Sequence, residues 1–296
     1  MQLHLAPMKS FTCWAFRASI PSVTDSYTEM INLQDLLKNK EQAWNVLDTF
    51  YIQNQRQWIQ ILTHNEKEIG LLPNRLMQFS NDFKDLSHIY GVNINAGCPD
   101  NAIIAAGDGA ALIKRTKRLT DLIKAFLGEP ESHFLHVSVK FRLGLNAKEM
   151  SFKKFLDFLE TVRTIEDSRL APPIFHFKHA RESSQEEPHW EFVEEIMDTN
   201  VPIIINGNID SPQYINKIQE KLLKKSKESW KKSILGVMIG RAALKNPYCF
   251  SQFDLFDKNS ELIPWEEIFK QNLKIHPPHE RYISNFSKLY PKIIKN

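Results

Sequence analysis

Eight short apolar segments, separated by stretches with helical periodicity, constrain the fold of this chain more than any other feature. They are Leu3–Ala6, Tyr27–Ile31, Trp58–Leu62, Val92–Asn95, Leu135–Phe141, Ile174–Lys178, Val201–Ile205 and Leu235–Ile239. Each is long enough for a strand and too short for a buried helix. Between them, Phe152, Phe155, Leu156, Leu159, Val162 and Ile165 recur at the spacing of one helix face. Residues 114–127 combine a basic start with an apolar stripe, and residues 213–232 are Lys-rich with Ile215, Ile218, Leu222 and Leu223 on one side. Strand–helix alternation repeated eight times predicts an α/β chain folded as a (β/α)8 barrel over residues 1–250. After Phe250 the pattern changes to a helix near Trp265–Leu273, then Pro277-Pro278, then Tyr282–Ile294. Residues 251–296 are therefore expected to form a small C-terminal helical domain.

With 296 residues and 42% apolar content, the chain can bury a core of that size. Its net charge of +3 permits a nucleic-acid partner without demanding one. Cys13, Cys98 and Cys249 are far apart and contain no CxxC pair, which supports neither a zinc ribbon nor a disulfide framework. A reducing, cytoplasmic setting is the simplest expectation. MQLHLAPMKSF lacks the layout of a signal peptide, and no apolar run reaches the ~20 residues of a membrane span.

If the barrel forms, its chemistry belongs at the C-terminal ends of the strands. The stretch 91–113, GVNINAGCPDNAIIAAGDGAALI, puts one thiol there. Its strand breaks at Gly97-Cys98-Pro99, and the proline holds Cys98 in an irregular loop. A lone cysteine is usually a small buried hydrophobe, but the loop setting favours function. Other strand ends carry Pro7-Met8-Lys9, Gln60, Asn95, Lys140 with Arg142, His179 with Arg181, Asn206-Gly207-Asn208 and Gly240-Arg241. Taken singly, Gln60 reads equally as a satisfied core amide and Lys140 as a rim side chain. Taken together, polar groups at seven strand ends are hard to explain as packing. His176 and His179 would point to opposite faces of a strand, so no metal is expected. Glycines and Arg241 after the last two strands suit a phosphate, and a lysine suits a cofactor that gains negative charge on reduction.

These residues resemble the tRNA-dihydrouridine synthase family, whose members are flavin enzymes on a TIM barrel. The resemblance rests on LAPMKSFTCWAFR (5–17), TEM (28–30), WIQIL (58–62), GVNINAGCP (91–99), VSVKFRLG (137–144), HAR (179–181), VPIIINGNI (201–209) and GVMIGRAALKNP (236–247), all in family order. It implies reduction of the uracil C5=C6 bond in tRNA, with hydride from FMN recharged by NADPH or NADH. Cys98 matches the family's proton donor, and Asn95 its contact to the uracil edge. By the same resemblance Pro7, Met8, Lys9, Gln60, Lys140 and His179 surround the flavin ring. Asn206, Gly207, Asn208, Gly240 and Arg241 hold its phosphate end, while Arg142 and Arg181 are rim arginines facing RNA or cofactor. The implied partners are tRNA and a nicotinamide dinucleotide, with no membrane and no metal, and a monomer is expected.

Two departures stand out. Ser10-Phe11-Thr12-Cys13 lacks the acidic residue that the family carries there, and ESSQEEPHW after Arg181 is more acidic than usual. The C-terminal helical segment is also short. Basic clusters at Lys114, Arg115, Lys117 and Arg118, and at Lys221, Lys224, Lys225, Lys227, Lys231 and Lys232, are candidates for phosphate contact. The second contains Glu220 and Glu228 and reads better as a solvated helix face. Two other functions fit parts of the pattern: an FMN barrel reducing a small unsaturated substrate, and a tRNA-binding module with weak catalysis.

Overall fold

The computed structural model describes residues 1–47, 50–82, 87–148, 152–183, 185–222, 227–253 and 264–294. Among them nine strands form one parallel sheet: β1 (Gln2–Leu5), β2 (Asp25–Tyr27), β3 (Ile31–Asn32), β4 (Arg56–Leu62), β5 (Ile89–Ala96), β6 (His136–Arg142), β7 (Ile174–His176), β8 (Ile203–Asn206) and β9 (Ile234–Ile239). β2 pairs with both β1 and β4, which closes the sheet on itself. β3 pairs with β4 alone, at Ile31↔Ile61. β2 and β3 thus share the second position of an eight-position barrel.

The predicted strand Tyr27–Ile31 straddles the gap between β2 and β3, and this is a correction to the sequence reading. Thr28 explains the gap. Its N–H still donates to the Trp58 carbonyl at 2.9 Å, but its hydroxyl accepts the Gln60 N–H at 3.1 Å and donates to the Glu29 carbonyl at 2.9 Å. A side chain therefore takes a place in the ladder that backbone would fill, and Glu29 turns out of line. Val201 and Pro202 lie before β8, since proline has no N–H to give a ladder.

Alternation along each strand sends one set of side chains inward. Ala6, Tyr27, Trp58, Ile174, Ile204 and Met238 fill the middle of the barrel as an apolar cluster of their own. Beneath them the buried Asp25 carboxylate accepts from Arg56 at 2.7 Å and from the Trp58 indole at 2.8 Å, sealing the N-terminal end. The outward set packs under the helices, with Phe141, Phe155, Phe158 and Phe175 in mutual ring contact.

The first C-terminal helix expected from sequence is found at Trp265–Ile275. The segment expected at Tyr282–Ile294 is split into a helix at Glu280–Leu289 and a four-residue helix at Pro291–Ile294, where the proline breaks the run. Their apolar faces join the barrel's outer core, with Phe16 of helix Trp14–Ser19 5.5 Å from Phe286 and 6.1 Å from Phe269, ring centre to ring centre. Arg281 pairs with Glu29, and Asn272 donates to the Ser19 hydroxyl at 3.0 Å. These contacts place the C-terminal helices beside the rim where β1 and β2 end. Among the described residues no helix is long and apolar enough to cross a membrane.

Candidate active site

Cys98 sits in a loop that Asn95 builds. The Asn95 side-chain oxygen accepts from the backbone N–H of Gly97 at 3.0 Å and of Cys98 at 2.8 Å, which ends β5 and turns the chain. Downstream, the Ala110 N–H donates to the Cys98 carbonyl at 3.0 Å. Gly109, at φ +57°, lies so close that a Cβ there would meet the Cys98 Cβ at 3.0 Å. Only glycine combines that backbone with that approach. The thiol is half-buried, whereas Cys13 and Cys249 are buried. Burial pushes the Cys98 thiol above its usual range, with Arg142 and Lys9 pulling the other way, so it is protonated at neutral pH.

Beside it opens a cavity of about 680 Å³, within the range of sites that hold a cofactor-sized ligand. Pro7, Met8, Lys140, Arg142, Asn206, Asn208, Gly240 and Arg241 line it, so eight of the predicted residues converge from β1, β6, β8 and β9. Gly207 supports the same wall: its φ of +138° carries the chain between Asn206 and Asn208. Asn206 is fixed by donating to the Met238 carbonyl at 2.8 Å, and Asn208 accepts from Lys178 at 3.2 Å.

The lining is strongly cationic. Burial first, then the neighbouring Arg142, lowers the Lys140 pKa to about 7, and the Cys98 sulfur is near enough to oppose that shift. Burial likewise brings Arg142 down to about 10, again with Cys98 as a counterweight. The thiol and the two cations therefore share one electrostatic neighbourhood. His176 also lines the cavity, and its buried Nδ1 has no partner among the described residues. Burial and four surrounding cations hold its pKa well below the usual histidine range. A neutral donor-or-acceptor imidazole among Lys140, Arg142, Arg241 and Lys245 is an arrangement that wants an anion.

Seven predicted residues do not line this cavity: Cys98 and Asn95 in and before the neighbouring loop, Gly207 behind the wall, and Gln60, Lys9, His179 and Arg181. Gln60 is buried at 1% exposure one layer down, where it donates to Asn93 at 2.8 Å and accepts from Asn95 at 2.9 Å. Lys9 is exposed, on the Cys98 side. His179 lies in the loop after β7, where its ring accepts the Arg181 N–H at 3.2 Å and its own N–H donates to Glu182. Arg181 is exposed on the same loop. The loop is tied down by Lys178 to the Ser183 carbonyl at 3.2 Å and by His189 to Glu182 at 2.6 Å.

Sequence reasoning missed His176 as a lining residue, although its parity with the inward-facing Ile174 was readable. It also missed Gln185 at the cavity wall and Asn93 beneath it, whose parity with Asn95 was the available signal. Glu29 supplies a buried carboxylate near Ser10, accepting the Ser10 N–H. Of the basic clusters, Lys114, Arg115, Lys117 and Arg118 are exposed just after the Cys98 loop, and Arg118 pairs with Glu66 at 2.7 Å. In the second cluster Lys224 and Lys225 lie outside the described residues, and Lys232 pairs with Glu228 at 3.3 Å.

Among solved structures, the chain is similar to "Morphinone reductase" (TM-score 0.53, 12% identity, 90% of this chain and 88% of that one). It is also similar to the old yellow enzyme from Trypanosoma cruzi (TM-score 0.54, 10% identity, 99% and 94%). At such identities the likeness shows the barrel fold alone. A "Probable tRNA-dihydrouridine synthase" of Staphylococcus epidermidis is 26% identical over 236 residues, covering 76% of this chain and 66% of that protein. The "tRNA-dihydrouridine(20) synthase [NAD(P)+]" of Saccharomyces cerevisiae is 26% identical over 219 residues, covering 71% and 52%. The chain thus spans between about half and two thirds of these relatives. The family model "Dihydrouridine synthase (Dus)" matches residues 4–293, nearly the whole sequence, and the chain belongs to the dihydrouridine synthase family.

Proposed function

We propose that this chain is an FMN-dependent oxidoreductase that reduces the C5=C6 bond of uridines in tRNA, using NADPH or NADH as reductant. The observation that carries the proposal is the meeting of one protonated thiol with a cationic cavity at a single barrel rim. When bound, FMN supplies the hydride. Lys140, His176, Asn206, Asn208, Gly240 and Arg241 are the residues placed to hold it, and the orphaned His176 Nδ1 fits an anionic, oxygen-rich ligand.

The protein's own part is proton delivery, charge balance and exclusion of water. Cys98 keeps its proton at neutral pH because burial disfavours the thiolate, and it gives that proton to uracil C5. Arg142, with one guanidinium nitrogen donating to the His179 carbonyl at 3.2 Å, stands beside the sulfur and stabilises the thiolate left behind. Lys140 regains its charge when an anion enters, because the new partner offsets the desolvation that lowered it. The target base must leave the RNA stack to reach this rim, at a cost of a few kcal/mol.

We assign to the tRNA body the exposed Lys114, Arg115 and Lys117, which follow the Cys98 loop in sequence, and the C-terminal helices, which pack on helix Trp14–Ser19 and on Glu29. In this reading residues 1–250 are the cofactor-binding barrel and residues 251–296 a short RNA-contacting helical domain, and the chain works as a cytoplasmic monomer. The test is Cys98→Ala. The variant should keep the flavin absorbance band and lose turnover on tRNA. Turnover equal to that of the parent would remove the proton-donor role, and a protein that takes up no FMN would end the proposal.

A further inference from the structure

Beneath the cavity, three carboxamides form a chain whose direction is forced by chemistry. Asn95 must present its oxygen upward, because the Gly97 and Cys98 N–H groups can only donate. Its Nδ2 must then face Gln60, and it donates to Gln60 Oε1 at 2.9 Å. Gln60 is left to donate its Nε2 to Asn93 Oδ1 at 2.8 Å. Asn93 is fully buried, sits opposite Gln60 in the β4–β5 register, and shares the inward face of β5 with Asn95. If Asn93 turned its nitrogen toward Gln60, two donors would meet, Gln60 would lose its anchor, and Asn95 would be free to tilt.

We propose that Asn93 is a positioning residue for Cys98, acting through Gln60 and Asn95 to hold the thiol loop at one height above the barrel. The proposal rests on the uridine-reduction reading for its kinetic consequence, but the geometry stands apart from it. All three side chains are at most 6% exposed, so no solvent competes for their bonds. The strut crosses from β5 to β4 and back, so it ties the loop to two strands rather than one. Asn93 Nδ2 is left buried with no partner among the described residues. Keeping such an orphan is costly, and its presence is accounted for if the oxygen on the same carboxamide is what the fold requires.

The experiment compares Asn93→Leu, Asn93→Ala and Asn93→Asp in the flavin-loaded full chain. Leu and Ala remove the acceptor; Asp keeps an oxygen for Gln60 whether ionised or not. Two quantities are read: kcat and KM on tRNA, and the rate at which iodoacetamide alkylates Cys98, with Cys98→Ala giving the background from the buried Cys13 and Cys249. A loss of positioning of this kind should lower kcat by about 10-fold or more at unchanged KM. The Leu and Ala variants that fold should also show a shifted Cys98 alkylation rate, and Asp should restore both readouts toward the parent. Alkylation at the parent rate in both Leu and Ala, or an Asp variant no closer to the parent than Ala, overturns the proposal. Absence of turnover in the parent overturns the uridine reading alone, and the alkylation comparison still decides the strut.

Discussion

Replacing Lys140 with Met removes a half-buried ammonium while keeping most of its length, and the consequence depends on pH. Burial and Arg142 bring the Lys140 pKa from 10.5 down to about 7 in the folded protein. In the unfolded chain the group stays protonated up to its ordinary value. Between pH 7 and 10.5 the unfolded state therefore holds a proton that the folded state has released, and folding stability rises with pH across that window. Integrated from pH 7 to pH 9, the gain is about 2 kcal/mol at ~1.4 kcal/mol per pH unit. Solvent at the cavity mouth screens part of this, leaving about 1 kcal/mol. For a chain of this size that is a shift of roughly 2–4 °C in Tm. The assay is thermal unfolding of flavin-free protein, parent against Lys140→Met, at pH 7 and pH 9. The Tm of the parent minus that of the variant should increase by this amount as pH rises. With FMN bound the ammonium gains an anionic partner, its pKa climbs, and the increase should vanish. Parallel pH curves for the two flavin-free proteins would refute the claim that Lys140 is a desolvated cation.

Further outcomes follow from the contacts that attach the C-terminal helices. Phe286→Ala empties a fully buried site ringed by Phe11, Phe16 and Phe269, and should lower the unfolding free energy by about 3–4 kcal/mol in chemical denaturation. Arg281→Met leaves the Glu29 carboxylate buried with no cationic partner among the described residues, and should cost about 1–2 kcal/mol given the partial exposure of Arg281. Glu29→Gln in the same protein should recover part of that loss. A double-mutant cycle showing no coupling would mean that the pair does not hold the helix to the rim.

Much of the barrel was legible because inward and outward positions alternate, so apolar runs such as Val92–Asn95 and Leu235–Ile239 declare themselves. The break between Tyr27 and Ile31 was not legible. It depends on a threonine hydroxyl entering a ladder, and any β-branched residue in a strand looks alike from sequence. At the site, Cys98, Lys140 and Arg241 were readable because strand ends in a barrel converge by topology. His176 lines the cavity and His179 does not, for a different reason. Parity fixes a residue on a strand, whereas the loop carrying His179 is set by tertiary bonds to Glu182, Lys178 and His189 that no local pattern records. Gln60 was read as reaching a cofactor, and its pairing with Asn93 and Asn95 required the β4–β5 register.

Helix Trp14–Ser19 is covered by residues made some 270 positions later, and β1 meets its neighbour β9 only once residue 239 has emerged. At the usual ~5–20 residues per second of synthesis, that leaves Phe16 without its final cover for roughly 15–50 s. During that interval the early strands have an open edge and an apolar helix exposed to the crowded interior of the cell. Newly made chains should therefore lean on a holding chaperone until closure, and slowing translation between residues 20 and 240, while edge and helix are both uncovered, should increase aggregation more than slowing it after residue 240.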